Sequence, residues 1–120
     1  MINKIGTVAV YVDDQEQTLK FWTEQVGFEV KANHPMGPNG SWIEVAPKGA
    51  ESALVIYPKS MMENWEQQKA SIVFLSDDAK KTFEEMSGRG VKFIQEPNEM
   101  PWGTFAIFED LDGNQFLIKG

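Results

Sequence analysis

Residues 7–14 read Thr-Val-Ala-Val-Tyr-Val-Asp-Asp and residues 71–78 read Ser-Ile-Val-Phe-Leu-Ser-Asp-Asp, so one pattern occurs twice, about sixty residues apart. In both copies a run rich in β-branched residues predicts a strand, and the Asp pair that ends it is typical of a helix N-cap. The helix predicted after each pair ends at a glycine, Gly27 in the first copy and Gly90 in the second. Each half of the chain is therefore predicted to begin with a strand and a helix.

After each glycine the chain continues with a short strand and then a loop rich in Pro and Gly. The two loops are predicted at residues 34–40 and 96–103. Two more strands follow each loop, and they are predicted at residues 41–46, 52–57, 104–109 and 115–118. This order predicts an α+β fold of tandem βαβββ modules, whose mixed sheet forms one cup-shaped ligand site.

We expect the whole chain to be one domain, with a first module at residues 1–59 and a second at residues 71–120. Between the modules, the hydroxyl of Ser60 stands three residues before the carboxylate of Glu63, which is the spacing of a capping box. Residues 60–70 are therefore predicted to be either a short helix or a plain linker.

The composition is that of an ordinary globular protein, with 42% apolar and 24% charged residues. A net charge of -7 argues against a nucleic-acid partner, since binding to phosphates depends on Lys and Arg. The apolar runs are far too short to cross a bilayer and no secretory pattern is present, so we expect no membrane partner and a cytoplasmic location. The absence of cysteine excludes disulfides, thiolate metal sites and cysteine nucleophiles.

Three motifs resemble those of the vicinal oxygen chelate superfamily, the family of glyoxalase I, bleomycin-resistance proteins, fosfomycin-resistance enzymes and extradiol dioxygenases. They are the strand and Asp pair at residues 7–14, the helix end with Phe21-Trp22 and Val26-Gly27-Phe28, and the turn Asp110-Leu111-Asp112-Gly113-Asn114. The resemblance covers nearly the whole chain and implies the tandem fold and a homodimer. It implies no particular reaction, because relatives on this fold catalyse different reactions or none.

In metal-using relatives the first strand of each half carries a His ligand and the last strand carries a Glu ligand. Here the His positions are Thr7 and Ser71, and the Glu positions are Leu117 and Ile56, or Leu54 if the register shifts by two. Hydroxyl and aliphatic side chains are poor ligands for a divalent cation. We therefore expect no metal and no other cofactor, and the residues at these positions become candidate ligand contacts.

Strand alternation indicates further ligand contacts. Thr7 and Tyr11 share one face of the first strand, and Trp42 and Glu44 share one face of a later strand. Trp42 and Trp102 stand at the edges of the predicted loops, where an indole can stack on a planar ligand. Core packing is the alternative for both indoles, and a solvated edge carboxylate is the alternative for Glu44.

Two functions are compatible with these residues. The first is a metal-independent binding protein of the bleomycin-resistance type, which sequesters a partly planar organic ligand in the cup. The second is an enzyme, either a glyoxalase-like lyase or isomerase or a dioxygenase relative, that uses Glu44 or His34 as a general base. For His34, the only histidine, an exposed loop position is the alternative.

Overall fold

The computed structural model describes Met1 and residues 5–101 and 103–120, and it divides the chain into two compact units, Met1–Ala70 and Ser71–Gly120. Each unit contains one four-stranded mixed sheet and one α-helix, so the fold is of the predicted α+β class. Within the described ranges, no helix has the length and apolar character that a bilayer crossing requires.

The two units have the following elements. The first contains β1 (Thr7–Val12), α1 (Gln15–Lys20), a π-helical turn (Phe21–Val26), β2 (Glu29–Pro35), β3 (Ser41–Ala46), β4 (Ala53–Pro58) and two 3-10 turns (Lys59–Met61 and Trp65–Gln67). The second contains β5 (Ile72–Leu75), α2 (Ala79–Gly88), β6 (Lys92–Met100), β7 (Gly103–Glu109) and β8 (Gln115–Lys119).

The two sheets have the same topology. The strand order is β1-β4-β3-β2 in the first sheet and β5-β8-β7-β6 in the second. β1 runs parallel to β4, and β5 runs parallel to β8. The other neighbouring strands in each sheet are antiparallel. The repeated sequence pattern therefore corresponds to a repeated arrangement of strands.

The Asp pairs cap the helices as the sequence predicts. Asp14 accepts a hydrogen bond from the backbone N–H of Gln17, and Asp78 accepts one from that of Lys81, both at 3.1 Å. Gly90 follows α2 with φ of 91°, a left-handed conformation that a residue with a Cβ adopts only at a cost. These local signals place β1 and β5 directly before a helix in each unit.

The first helix differs from the prediction in its last turn, which is π-helical. The backbone N–H of Gly27 donates to the carbonyl of Trp22 at 3.0 Å, five residues earlier, and Gly27 has φ of 93°. Phe21 and Trp22 are both buried in this turn although they are adjacent in sequence. Both side chains therefore pack in the core of the first unit.

Both Pro- and Gly-rich loops are shorter than predicted. β2 continues through His34 and Pro35, and β6 continues through Pro97 to Met100. Both are edge strands, where a proline is tolerated because its missing N–H faces away from the ladder. The loop prediction was therefore wrong for His34.

The segment after β4 forms two separate 3-10 turns. Neither turn has a side-chain cap, so the capping box predicted from Ser60 and Glu63 does not form. Lys59 instead holds this segment, with its ammonium 3.4 Å from the Asp13 carboxylate and 4.3 Å from the centre of the Trp65 ring.

The core of the second unit is a stack of aromatic rings. Phe108 and Phe116 are buried, with ring centres 5.3 Å apart, and Phe74 stacks on Phe116 at 5.6 Å. On the other face of β5, Val73 and Leu75 are 50% and 82% exposed. The two faces of this sheet therefore differ strongly in burial.

The turn between β7 and β8 is organised by one buried carboxylate. Asp110 accepts hydrogen bonds from the backbone N–H groups of Asp112 and Asn114, at 2.9 and 2.8 Å, and from the side-chain amide of Asn114 at 2.8 Å. Burial raises the pKa of Asp110, although these hydrogen bonds oppose the shift. The family-like turn motif thus has a structural role.

Candidate functional site

Three aromatic side chains form a row across neighbouring strands of the first unit. Tyr11 on β1 is the register partner of Tyr57 on β4, and their ring centres are 5.9 Å apart at an interplanar angle of 81°. Trp42 on β3 lies on the other side of Tyr57, at 6.2 Å and also 81°. All three rings are partly accessible. A flat organic molecule can therefore contact several ring surfaces at once.

A carboxylate belongs to the same surface. The indole N–H of Trp42 donates to Oε2 of Glu44 at 2.8 Å, and Glu44 is partly exposed. The alternate residues of this strand, Ile43 and Val45, are buried on the opposite face, as strand alternation predicts. We call Tyr11, Trp42, Glu44 and Tyr57 the aromatic face.

Glu44 is the only charged residue of the three strands that form this row, β1, β3 and β4, and none of them contains a Lys, Arg or His. Among the residues that the structure describes, Oε1 of Glu44 accepts no hydrogen bond and no cation contacts the carboxylate. The aromatic face therefore offers a negatively charged acceptor to an incoming molecule.

Gln15 supports the aromatic face from the first turn of α1. β3 and β4 pair regularly only at Glu44 with Val55 and at Val45 with Leu54. Near Trp42 and Tyr57 the two strands have no such regular pairing. There the Gln15 amide donates to the carbonyls of Ser41 and Ile56, at 2.7 and 2.8 Å, and accepts from the Ser41 N–H at 3.0 Å. Since these residues directly precede Trp42 and Tyr57, Gln15 fixes the spacing of the two rings.

Ile56 is not on this face, which corrects its assignment as a ligand contact. Its register partner is Val10, and its side chain is 0% exposed in the core. Val55 instead shares the face of Tyr11 and Glu44, because neighbouring residues of a strand point to opposite sides. The sequence assignment was wrong by one residue, and such a slip exchanges the two faces.

His34 lies in β2, beside the aromatic face and not in a loop. It lies opposite Trp42 in the antiparallel pair of β2 and β3, and directly opposed residues project to the same side of a sheet. Its side chain is exposed. Thr7, another candidate, is also exposed and lies at the start of β1, on the face of Tyr11.

The candidates in the second unit lie on its more accessible sheet face. Leu117 on β8 is the register partner of Val73 on β5 and is half-buried. Ser71 directly precedes β5 and is exposed. Trp102, the remaining candidate, lies outside the described residues.

The residues at the family's metal positions do not fit a divalent metal ion. The pairs Ala9–Val55 in the first sheet and Val73–Leu117 in the second are equivalent, since Ala9 and Val73 stand at the same distance from their Asp pairs. The first unit thus offers Thr7 and Val55, and the second offers Ser71 and Leu117. None carries an imidazole or carboxylate, and the described part of the chain contains no group of three or more potential metal-binding side chains.

Tyr57 and Gln15 were missed in the sequence. Tyr57 ends a predicted strand and becomes recognisable only through the parallel pairing of β1 with β4, which places it beside Tyr11. Gln15 is a polar residue in the first turn of a helix, and its position there carries no signal of contacts to two distant strands.

Comparison with known proteins agrees with this architecture. A model of the Glyoxalase/Bleomycin resistance protein/Dioxygenase superfamily matches residues 4–118. The chain is 62% identical to the Bacillus subtilis protein YetH over 119 residues, which is 99% of each chain.

Two solved structures are also similar. TnmS3, an antibiotic binding protein from Streptomyces, is 33% identical with a TM-score of 0.83, covering 98% of this chain and 95% of its own. A superfamily member from Sphaerobacter thermophilus is 29% identical with a TM-score of 0.88, covering 98% of this chain and 97% of its own. Because the family model spans nearly the whole sequence, the chain belongs to the Glyoxalase/Bleomycin resistance protein/Dioxygenase superfamily.

Proposed function

We propose that this protein binds and sequesters a partly planar organic molecule without a metal ion. The observation that carries the proposal is the aromatic face, where three partly exposed aromatic side chains form a row and one of them, Trp42, donates to a carboxylate. Aromatic rings give a flat ligand a large contact area, and the few polar groups fix its orientation. An antibiotic or a metabolite of similar shape meets this description, and TnmS3 is an antibiotic binding protein.

Binding requires only complementarity, whereas the reactions of metal-using relatives require a Lewis acid. Thr7, Val55, Ser71 and Leu117 supply no ligand set for one. Thr7 lies on the sheet face of Tyr11 and extends the proposed contact surface with a hydroxyl. In the second unit, Ser71 and Leu117 are proposed as further contacts on the accessible sheet face.

The experiment is a titration of the full chain with polycyclic quinones, acridine and quinoline antibiotics, followed by isothermal calorimetry and repeated after extensive chelation with EDTA. We expect saturable binding by at least one compound, unchanged by EDTA. Trp42→Ala removes the indole at one end of the row and should weaken binding about tenfold or more. Trp65→Phe, in a 3-10 turn of the same unit, is the matched control. Binding that disappears with EDTA and returns with zinc, nickel or iron contradicts the proposal.

Catalysis by Glu44 or His34 is the second candidate function. The observation in its favour is the β2–β3 register, which puts His34 on the same sheet face as Trp42 and Glu44. Turnover of a hemithioacetal or catechol substrate that is lost in Glu44→Gln or His34→Asn, while calorimetric binding persists, would favour an enzyme. Absence of turnover with intact binding favours sequestration.

A further inference from the structure

Glu44 has an unusual electrostatic environment for a partly buried carboxylate. Such charges are normally paired, because removing them from water is costly. Within the described residues, the only group bound to it is the neutral indole N–H of Trp42. The carboxylate therefore has no cationic partner among the described residues.

Two lysines of the first unit, Lys59 and Lys31, have other partners among the described residues. The ammonium of Lys59 lies against Asp13 and Trp65, at 3.4 and 4.3 Å, and that of Lys31 lies 3.7 Å from Glu29. The strands β1, β3 and β4 contribute no basic residue. Among the residues that the structure describes in these strands, none supplies a cation to Glu44, and a cationic ligand would provide one.

The neighbouring rings have the matching chemistry. The face of an indole or phenol ring attracts cations, most strongly when water is partly excluded. Trp42 contributes such a ring and also orients the carboxylate through its N–H, and Tyr57 lies 6.2 Å from the Trp42 ring. A net charge of -7 further favours the approach of a cation.

Resting on the proposed function, we infer that the ligand of the aromatic face is a cationic molecule. Its positively charged nitrogen group pairs with Glu44 against the Trp42 and Tyr57 rings. The flat remainder of the molecule covers the rest of the row.

The test compares two probes of nearly the same shape, 9-aminoacridine, which is cationic at mildly alkaline pH, and acridine, which is neutral there. Binding of each to the full chain is measured by fluorescence titration and calorimetry. We expect 9-aminoacridine to bind about ten- to a hundredfold more tightly, the effect of one charge-assisted contact in a partly buried site.

Glu44→Gln is the decisive variant. It keeps a carbonyl oxygen that accepts the Trp42 N–H but removes the charge, so the preference for 9-aminoacridine should fall to about threefold or less, with acridine affinity unchanged. Glu24→Gln makes the same change in net charge at an exposed position of the first unit and should keep the preference.

The possible outcomes separate the two proposals. Equal affinity for both probes, or a preference that survives Glu44→Gln, overturns the cationic ligand and leaves planar binding intact. If Glu24→Gln lowers the preference for 9-aminoacridine as much as Glu44→Gln does, the preference comes from net charge, and the inference is also overturned. Failure of both probes to bind counts against the proposed function itself, and the inference falls with it.

Discussion

Replacing Gln15 with leucine tests whether one side chain holds β3 and β4 in place beneath the aromatic face. The substitution keeps the approximate volume and removes three hydrogen bonds, two donated to the carbonyls of Ser41 and Ile56 and one accepted from the Ser41 N–H. Ile56 is fully buried and Ser41 is half-buried, so water replaces these partners only incompletely.

The magnitude follows from the number of bonds. A net contribution of about 0.5–1.5 kcal/mol for each of the three hydrogen bonds gives a loss of about 1.5–4.5 kcal/mol in the free energy of unfolding. This is a large fraction of the roughly 5–15 kcal/mol that stabilises a domain. At about 4 °C for each kcal/mol, the midpoint of thermal unfolding should fall by about 6–18 °C.

The assay is urea unfolding followed by far-UV circular dichroism, with near-UV dichroism as a probe of aromatic packing. Gln17→Leu is the matched control, since Gln17 is exposed on the same helix, and it should change stability by no more than about 0.5 kcal/mol. The near-UV spectrum should change for Gln15→Leu and not for the control. Equal stability of the two variants would refute the role assigned to Gln15.

Three further predictions concern other parts of the chain. Gly113→Ala should lower the free energy of unfolding, measured by chemical denaturation, by about 1–2 kcal/mol, because Gly113 has φ of 78° although the space around it is open. As the control, Gly88→Ala at the end of α2 should leave that free energy unchanged or raise it. Burial raises the pKa of Asp110, so its stabilising contribution is fully present below the ordinary value of 3.8 and is lost as pH rises through the raised value. The stability of the wild type relative to Asp110→Asn should therefore decrease over that range, and a constant or increasing difference would contradict the shift. Phe108→Ala should cost about 3–5 kcal/mol by leaving a cavity in the aromatic stack, and a loss below about 1 kcal/mol would be incompatible with that packing.

Local signals in the sequence were sufficient to predict most of the fold. The Asp pairs and glycines act through contacts within a few residues, so their effects on helix ends were recognisable without tertiary information. Errors arose where tertiary packing decides. Pro35 and Pro97 suggested loops, but edge strands accept proline, and the π-helical turn reflects burial of both Phe21 and Trp22.

The candidate site was only partly predictable. Alternation placed Trp42 and Glu44 on one face because the period of a strand is fixed by its backbone. Ile56 was misplaced because the register of β4 depends on pairing with β1, which is distant in sequence. Tyr57 became recognisable through the same pairing. Formation of one cup by both modules and assembly into a homodimer stay predictions.

The central claim is that the aromatic face binds a flat organic molecule without metal. The most direct measurement is the ¹H–¹⁵N spectrum of the indole groups, recorded in EDTA during titration with 9-aminoacridine and acridine, with the Trp42 signal assigned through Trp42→Phe. The account predicts a saturable shift of the Trp42 signal, because its N–H contacts Glu44 on the binding surface, and a smaller change for buried Trp22. An unchanged Trp42 signal at saturation, or a shift that appears only after a divalent metal is added, would contradict it.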